Sequence, residues 1–302
     1  MAVRQLRRLG QPASVSLYDE MEAQALHALY FRRDIERVEA EHPDLIVRRG
    51  ANILLAQQAG VAKLAYSFES DRAFTELFPD MLDALLPRIR RVLRADSVRF
   101  RLSHSPSRPL VEPVVKRLLF QPKREWLQFD IDRSGAPKAK PLAGVRFRDA
   151  TPDDIDAIAK IDLEGFPDQP MPRDAIRSEL FEGDRSVIVA VSKGGVVGYC
   201  SYALPDPGFG YIHDLAVAAS ARRHGVGGAL TSRAVKALFT AGADDIALTT
   251  EQNNGPAIRL YRDLGFRQTK AGRDYERPAD PRVIERLAKQ AQTTMIKFGD
   301  WR

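Results

Sequence analysis

The sequence predicts an α/β protein, a mixed central sheet flanked by helices, in two tandem domains. Its 302 residues exceed what one compact core usually needs. The second half alternates strand-like and helix-like hydrophobic patterns: a strand and a helix, then three strands, helix, strand, helix. A weaker copy of part of that pattern recurs in the first half. With 44% hydrophobic and 28% charged residues, the chain has the composition of a folded globular protein rather than a disordered one.

The first half is read through its echo of the second. Gly60–Phe68 matches Gly195–Ala203 at an offset of 135, while Arg91–Ala95 and Leu118–Phe120 match Ala237–Ala241 and Leu264–Phe266 at 146. On that register the first half lacks 11 residues between the blocks. Trp126–Ile131 reads as a strand, and Arg133–Gly144, rich in Gly, Pro, Ala and Lys, as a linker. The expected domains are therefore 1–140 and 141–302.

In the second domain Val145–Arg148 alternates as a half-buried strand does. Thr151 is an N-cap followed by Pro152 and two acids, which starts a helix running to about Glu164. Ser186–Val191 and Val196–Tyr202 flank Lys193-Gly194-Gly195, a hairpin signal, and Tyr211–Val217 is a third strand. Val226, Leu230, Ala234 and Leu238 share one face of a helix over 225–241. Ile246–Thr250 is a strand, and Gly265 ends a helix over 255–264. The tail Arg282–Phe298 has helical spacing through Val283, Leu287, Ala291 and Met295.

Several function classes lose support at once. No stretch approaches the roughly 18 apolar residues of a membrane span. The basic N-terminus lacks the apolar core of a signal peptide. Cys200, the one cysteine, cannot form an internal disulfide, and a cytoplasmic protein is expected. The five histidines show no metal-ligand spacing, so no metal is expected. Residues 1–140 carry 24 Lys and Arg against 18 acids, and 141–302 carry 22 of each. That excess is modest and lacks an aromatic interleave, so nucleic acid is not the expected partner.

Chemistry concentrates between the third strand and the long helix, in Arg222-Arg223-His224-Gly225-Val226-Gly227-Gly228. A glycine-rich loop opening a helix offers free amides at the positive end of the helix dipole, a seat for phosphate or pyrophosphate. No Gly-Lys-Ser/Thr follows, which excludes a P-loop, and seven residues separate Val217 from Gly225, which excludes a dinucleotide fold.

This loop resembles the Arg/Gln-x-x-Gly-x-Gly/Ala signature of the GNAT superfamily of acyl-CoA-dependent N-acyltransferases. The family's second signature appears as Asn254-Gly-Pro-Ala257-Ile-Arg-Leu260-Tyr261-Arg-Asp-Leu-Gly265-Phe266. The resemblance covers about residues 144–278 and implies a GNAT fold. The first half then resembles a degenerate second copy without the cofactor loop.

Carried over by residue, the resemblance implies acetyl-CoA as donor and a small-molecule or peptide amine as acceptor. Leu215, Ala216 and Val217 would line the pantetheine arm, and Arg222 to Gly228 the pyrophosphate. Asn254 and Ala257 would border the cofactor, with Tyr261 beside its sulfur. A phenol, with an ordinary pKa of about 10, still carries its proton at neutral pH and can act as the proton donor to a departing thiolate, whose thiol has an ordinary pKa of about 8.5. The attacking amine must be neutral, which makes His213, Asp214 and Glu251 candidate bases. The stretch Gly165–Pro172, with Phe166 and Met171 as apolar contacts, would wall the acceptor groove. The branch acetylating protein N-termini has an acidic residue where this chain has Thr249. The resulting expectation is an N-acetyltransferase working by direct attack in a ternary complex, with a homodimer compatible. Its rivals are a non-catalytic acyl-CoA-binding regulator and a nucleic-acid-binding protein.

Overall fold

In the computed structural model of the chain, the residues described are 15–28, 30–57, 61–103, 108–138, 141–168, 170–287 and 289. A first pass of elements comprises α1 (Leu17–Glu22), β1 (Leu26–Ala28), α2 (Arg32–Glu41), β2 (Ile46–Arg49), β3 (Asn52–Gln57), β4 (Val61–Phe68), α3 (Asp71–Arg88), β5 (Ser97–Ser103), α4 (Arg108–Arg117) and β6 (Gln121–Asp132). A second comprises β7 (Arg146–Asp149), α5 (Ile155–Gly165), α6 (Arg173–Leu180), β8 (Ser186–Ser192), β9 (Gly195–Asp206), β10 (Phe209–Val217), α7 (Val226–Thr240), β11 (Asp245–Glu251), α8 (Gly255–Asp263) and β12 (Arg267–Pro278). Both passes run through antiparallel strands into a parallel strand–helix–strand crossover, then a helix and a last strand. The expected mixed sheet with flanking helices is what forms. Among the described residues no helix is long and apolar enough to cross a membrane.

Two compact units divide the chain differently from the expected cut at 140/141. One holds residues 1–100, 107–121 and 276–302, the other 101–106 and 122–275. The reason is β6, which pairs antiparallel with β11 from Asp132↔Asp245 to Trp126↔Glu251. Its Leu127, Phe129 and Ile131 enter the same core as Ile246 and Leu248. The linker after β6 is where the sequence puts it, although residues 139 and 140 lie outside the described ones. Of the tail helix expected over 282–298, residues 281–287 are helical, and most of the remainder lies outside the described residues.

The first unit orders its strands β2-β3-β4-β5, with β1 paired to β4. Its core is aromatic: Tyr66 stacks on Phe100 at 4.7 Å and Phe74 on Phe78 at 4.5 Å, with Phe68 and Phe120 against them. Ser70 caps α3, its hydroxyl accepting from the Ala73 amide at 3.1 Å, with Asp71 in the first turn. The positive end of this helix is thus answered by the chain's own side chains.

The structure also corrects the register of the repeat. Val61 pairs in parallel with Ser97 and Phe209 with Asp245, 36 residues apart in both. β4 therefore corresponds to β10, not to β9 as the Gly-Val pattern suggested, and no 11-residue gap exists between the blocks. Only Glu69 and Ser70 separate β4 from α3, whereas residues 218–225 separate β10 from α7. Residues that form the loop in the second pass are spent on helix in the first.

In the second unit the order is β12-β6-β11-β10-β9-β8-β7. α7 packs on one face, its Leu230, Ala234 and Leu238 meeting Cys200, Ile212 and Ile246. α5 and α6 pack on the other, where Ile158, Ile161 and Ile176 meet Val189, Tyr199 and Ala216. α5 starts at a capping box in which Asp154 accepts from the Thr151 amide, and Arg148 holds the same carboxylate through two bonds of 2.6 and 2.8 Å.

Candidate active site

The parallel pairing of β10 with β11 runs from Phe209↔Asp245 only to Ile212↔Leu248. On its other side β10 stays paired with β9 as far as Val217↔Gly198. From His213 onward one edge of β10 therefore has no strand beside it. The Ala218 amide donates to the Val197 carbonyl at 2.9 Å, and the Asp214 amide to Ser201 Oγ at 3.1 Å. Even-numbered amides thus turn toward β9, and by alternation those of Leu215 and Val217 turn toward the separated edge. A bulge between Ile212 and Asp214 resets the side chains. Ile212, Leu215 and Val217 join the α7 side, and Ala216 joins the α5 side.

The helix that begins beside this edge has an open N-terminus. Gly225 at its N-cap has φ of +81°, a conformation that costs L-residues with side chains. No side chain caps α7, and its first turn contains no acid. The amides of Val226, Gly227 and Gly228 point out of the helix without the side-chain partner that α3 has. A Cβ on Gly227 would sit 3.4 Å from Leu260 and 3.7 Å from Val217, so its absence keeps clearance where β10, α7 and α8 converge. Arg223 and His224 are exposed on the loop. Arg222 donates through Nε to the Val217 carbonyl at 3.0 Å and through Nη2 to the Glu164 carbonyl at 2.8 Å. Its guanidinium braces the loop against α5, while its charge stays at the loop.

Asn254 caps α8 by accepting from the Ala257 amide at 3.2 Å. One turn on, Tyr261 is buried with its ring 6.1 Å from Phe129 and 5.9 Å from Phe266. Burial pushes its hydroxyl well above the usual phenol range, with Cys200, Tyr211 and Asp214 adding to the effect. Burial likewise keeps the Cys200 thiol protonated.

On the α5 side two carboxylates organise the polar groups. Asp214 accepts from Ser201 Oγ at 2.6 Å and from Arg185 at 3.1 Å, and Arg185 also pairs with Glu179. Burial raises the Asp214 carboxyl while Ser201 and Arg185 pull it down, and burial prevails. Asp162 accepts from Tyr199 Oη at 2.5 Å and from the Met171 amide at 2.6 Å, tying the α5–α6 connection to β9. Within that connection Phe166 is exposed, while Met171 packs on the core beneath α5. His213 lies edge-on to Tyr211 at 4.9 Å, and Tyr211 Oη is 2.9 Å from Thr249 Oγ1. Glu251 is exposed at the end of β11. Tyr211, Asp162 and Tyr199 were not singled out by the sequence. Asp162 and Tyr199 are far apart in the chain, and only their contact reveals them. Among the described residues no three His, Cys, Asp or Glu are placed to hold a metal.

An uncapped helix beside a half-unpaired strand is the arrangement expected from the sequence resemblance, and comparison with known proteins gives the class. Residues 153–266 match the acetyltransferase (GNAT) family, and the chain belongs to that family. It is 32% identical over 151 residues to an N-alpha-acetyltransferase of Sulfurisphaera tokodaii, covering 46% of this chain and 89% of that protein. A mycothiol acetyltransferase of Actinosynnema mirum is 29% identical over 152 residues, 47% of this chain and 51% of that one, so the match spans about half that relative's length. Among solved structures, a tandem GNAT protein from the clavulanic acid biosynthesis pathway superposes with a TM-score of 0.64 at 15% identity, covering 87% of this chain and 94% of that one. A GCN5-related N-acetyltransferase from Sphaerobacter thermophilus gives 0.60 at 18%, covering 76% and 77%. The fold is thus that of a tandem GNAT protein.

Proposed function

We propose that this chain transfers an acetyl group from acetyl-CoA to a primary amine by direct attack in a ternary complex. The observation that carries the reading is the divergence of β10 from β11 beside the uncapped N-terminus of α7. The open amides of 226–228, with Arg223 and His224 next to them, suit a pyrophosphate. The outward amides of Leu215 and Val217 suit an extended amide-bearing arm, and Ala216, Asn254 and Ala257 border it. Among the described residues of the first unit, the matching helix end carries the Ser70 cap and Asp71 in its first turn, which suits a pyrophosphate poorly. One donor per chain is therefore expected.

An oxyanion formed on the thioester carbonyl would be stabilised by an edge amide of β10, that of Leu215 being turned the right way. Tyr261, held protonated by burial, would give its proton to the departing thiolate. The amine must lose a proton on the α5 side. Asp214 is engaged by Ser201 and Arg185, which favours Glu251 or His213 for that step over Asp214. Phe166 and Met171 belong to the wall of the acceptor groove in this reading, and the setting is cytoplasmic.

Titration calorimetry with acetyl-CoA tests the donor, and a thiol-release assay with added amines tests the transfer. One site per chain and amine-dependent thiol release are expected. Binding without turnover over a broad amine panel would favour a regulatory acyl-CoA-binding protein. No binding would remove the reading altogether.

A further inference from the structure

A cluster of charge occupies the α5-side face of the second unit's sheet, beyond the residues used so far. Asp274, with no exposed surface, accepts from Arg101 Nε at 2.9 Å and Nη2 at 3.3 Å, and from Arg124 Nε at 3.0 Å. Two guanidinium groups thus share one carboxylate, which leaves a positive charge in a half-buried place. The two arginines are held differently. Arg101 is bidentate to Asp274 and lies over the Trp126 ring at 4.8 Å, a structural position. Arg124 uses only Nε on Asp274, and no described residue accepts from its two terminal nitrogens. Its side chain is 36% exposed.

Register places Arg124 beside the reacting groups. Trp126 pairs with Glu251 and Gln128 with Thr249, and Leu127 and Phe129 point to the α7 core. Arg124, Trp126 and Gln128 therefore share the opposite face, which carries Thr249, Glu251 and Tyr211. Arg124 stands two register positions beyond the end of β11, across that strand from the part of β10 that has separated from it. Both guanidinium charges act on the Tyr211 hydroxyl, opposing the burial that raises it.

We infer that the amine acceptor carries an anionic group, a carboxylate or a phosphate, bound by the terminal nitrogens of Arg124 on the face that Glu251 and Tyr211 share. This rests on the transferase reading above and narrows it to a dipolar acceptor. A planar fork with two free donors matches either oxyanion. Glu251 supplies the opposite sign nearby, toward the amine end.

The test is a thiol-release assay with acetyl-CoA and matched acceptors: amino acids against their carboxamides, and phosphoethanolamine against ethanolamine. Pairs are compared at equal concentrations of neutral amine. The anionic member should be preferred by about tenfold or more in kcat/KM, as expected for a hydrogen bond to a charged partner. Which anionic series leads separates carboxylate from phosphate. Arg124→Gln should bring that ratio close to one, and Arg124→Lys should restore part of it, with melting temperature as the check on folding. Neutral members accepted equally well would overturn the inference, as would Arg124→Gln lowering both members alike. If acetyl-CoA binds and neutral amines are acetylated but no anionic amine is, this inference fails alone. If acetyl-CoA does not bind, the transferase reading fails with it.

Discussion

The contact between Tyr199 and Asp162 offers a quantitative test of how the α5–α6 connection is held. Tyr199 is fully buried, Asp162 is 2% exposed, and their oxygens are 2.5 Å apart. Tyr199→Phe keeps the ring among Ile158, Ile161 and Ile176 and removes only the hydroxyl. Asp162 then keeps one bond, from the Met171 amide. A hydrogen bond to a charged acceptor is worth about 1.5–3 kcal/mol, and that much stability should be lost. Asp162→Asn should cost a similar amount, because an amide oxygen replaces two acceptors with one and its NH2 faces a donor. The double variant should lose less than the two separate losses together, by ~1–2 kcal/mol. Urea midpoints of the four proteins give the coupling. Additivity to within about 0.5 kcal/mol would show that the two groups do not share a hydrogen bond. Asp162→Asn should also raise the KM for the amine while leaving acetyl-CoA affinity intact, since Met171 is tethered through Asp162 and α7 is not.

Gly225→Ala should lose about 1–2 kcal/mol, the cost of a left-handed residue with a Cβ, and should weaken acetyl-CoA binding in calorimetry. Gly225→Asn should be milder on both counts, and equal stability of Ala and Gly would contradict the loop geometry. Tyr261→Phe should leave acetyl-CoA affinity unchanged and slow single turnover by about 100-fold or more, the usual scale of proton transfer by a positioned group. Unchanged turnover would remove Tyr261 from the reaction. Asp274→Asn should destabilise by about 3–5 kcal/mol, because it strands two guanidinium groups. Burial alone would raise the Asp274 carboxyl, but Arg101 and Arg124 hold it below its ordinary value. Its contribution is then full above the unfolded pKa of about 3.9 and fades as pH falls through the lower folded value. The stability gap between wild type and Asp274→Asn should be flat above pH ~5 and narrow only below about pH 4. Narrowing at neutral pH would contradict the ion triad.

The second half was legible because its signals are local. Gly225 and Gly227, the Thr151 cap and the alternation of Tyr211–Val217 each state their own conformation, and the elements fall within a few residues of their predicted places. α6 went unread, since Ile176 and Leu180 make one turn of pattern in a helix of eight residues. The first half misled because β4 and β9 share a Gly-Val run, and pattern similarity is blind to which strand runs parallel to its successor. The cut at 140/141 followed the linker's composition, yet domain membership is decided by partners, and Phe129 finds Tyr261 from 132 positions away. Asp162, Tyr199, Arg124 and Asp274 stayed hidden for the same reason.

The pairing of β6 with β11 sets a timetable for synthesis. β6 ends at Asp132 and its partner begins at Asp245, so a ribosome must add roughly a hundred residues before that edge can be satisfied, on the order of 10 s of elongation. During that interval Trp126–Ile131 is an apolar strand with one place to go and nothing yet built there, which is when a nascent chain is most open to wrong partners. The first pass therefore cannot be finished and set aside as a folded unit while the second is made. A deletion of residues 1–140 would remove β6 from the second unit's sheet and leave β11 without that neighbour.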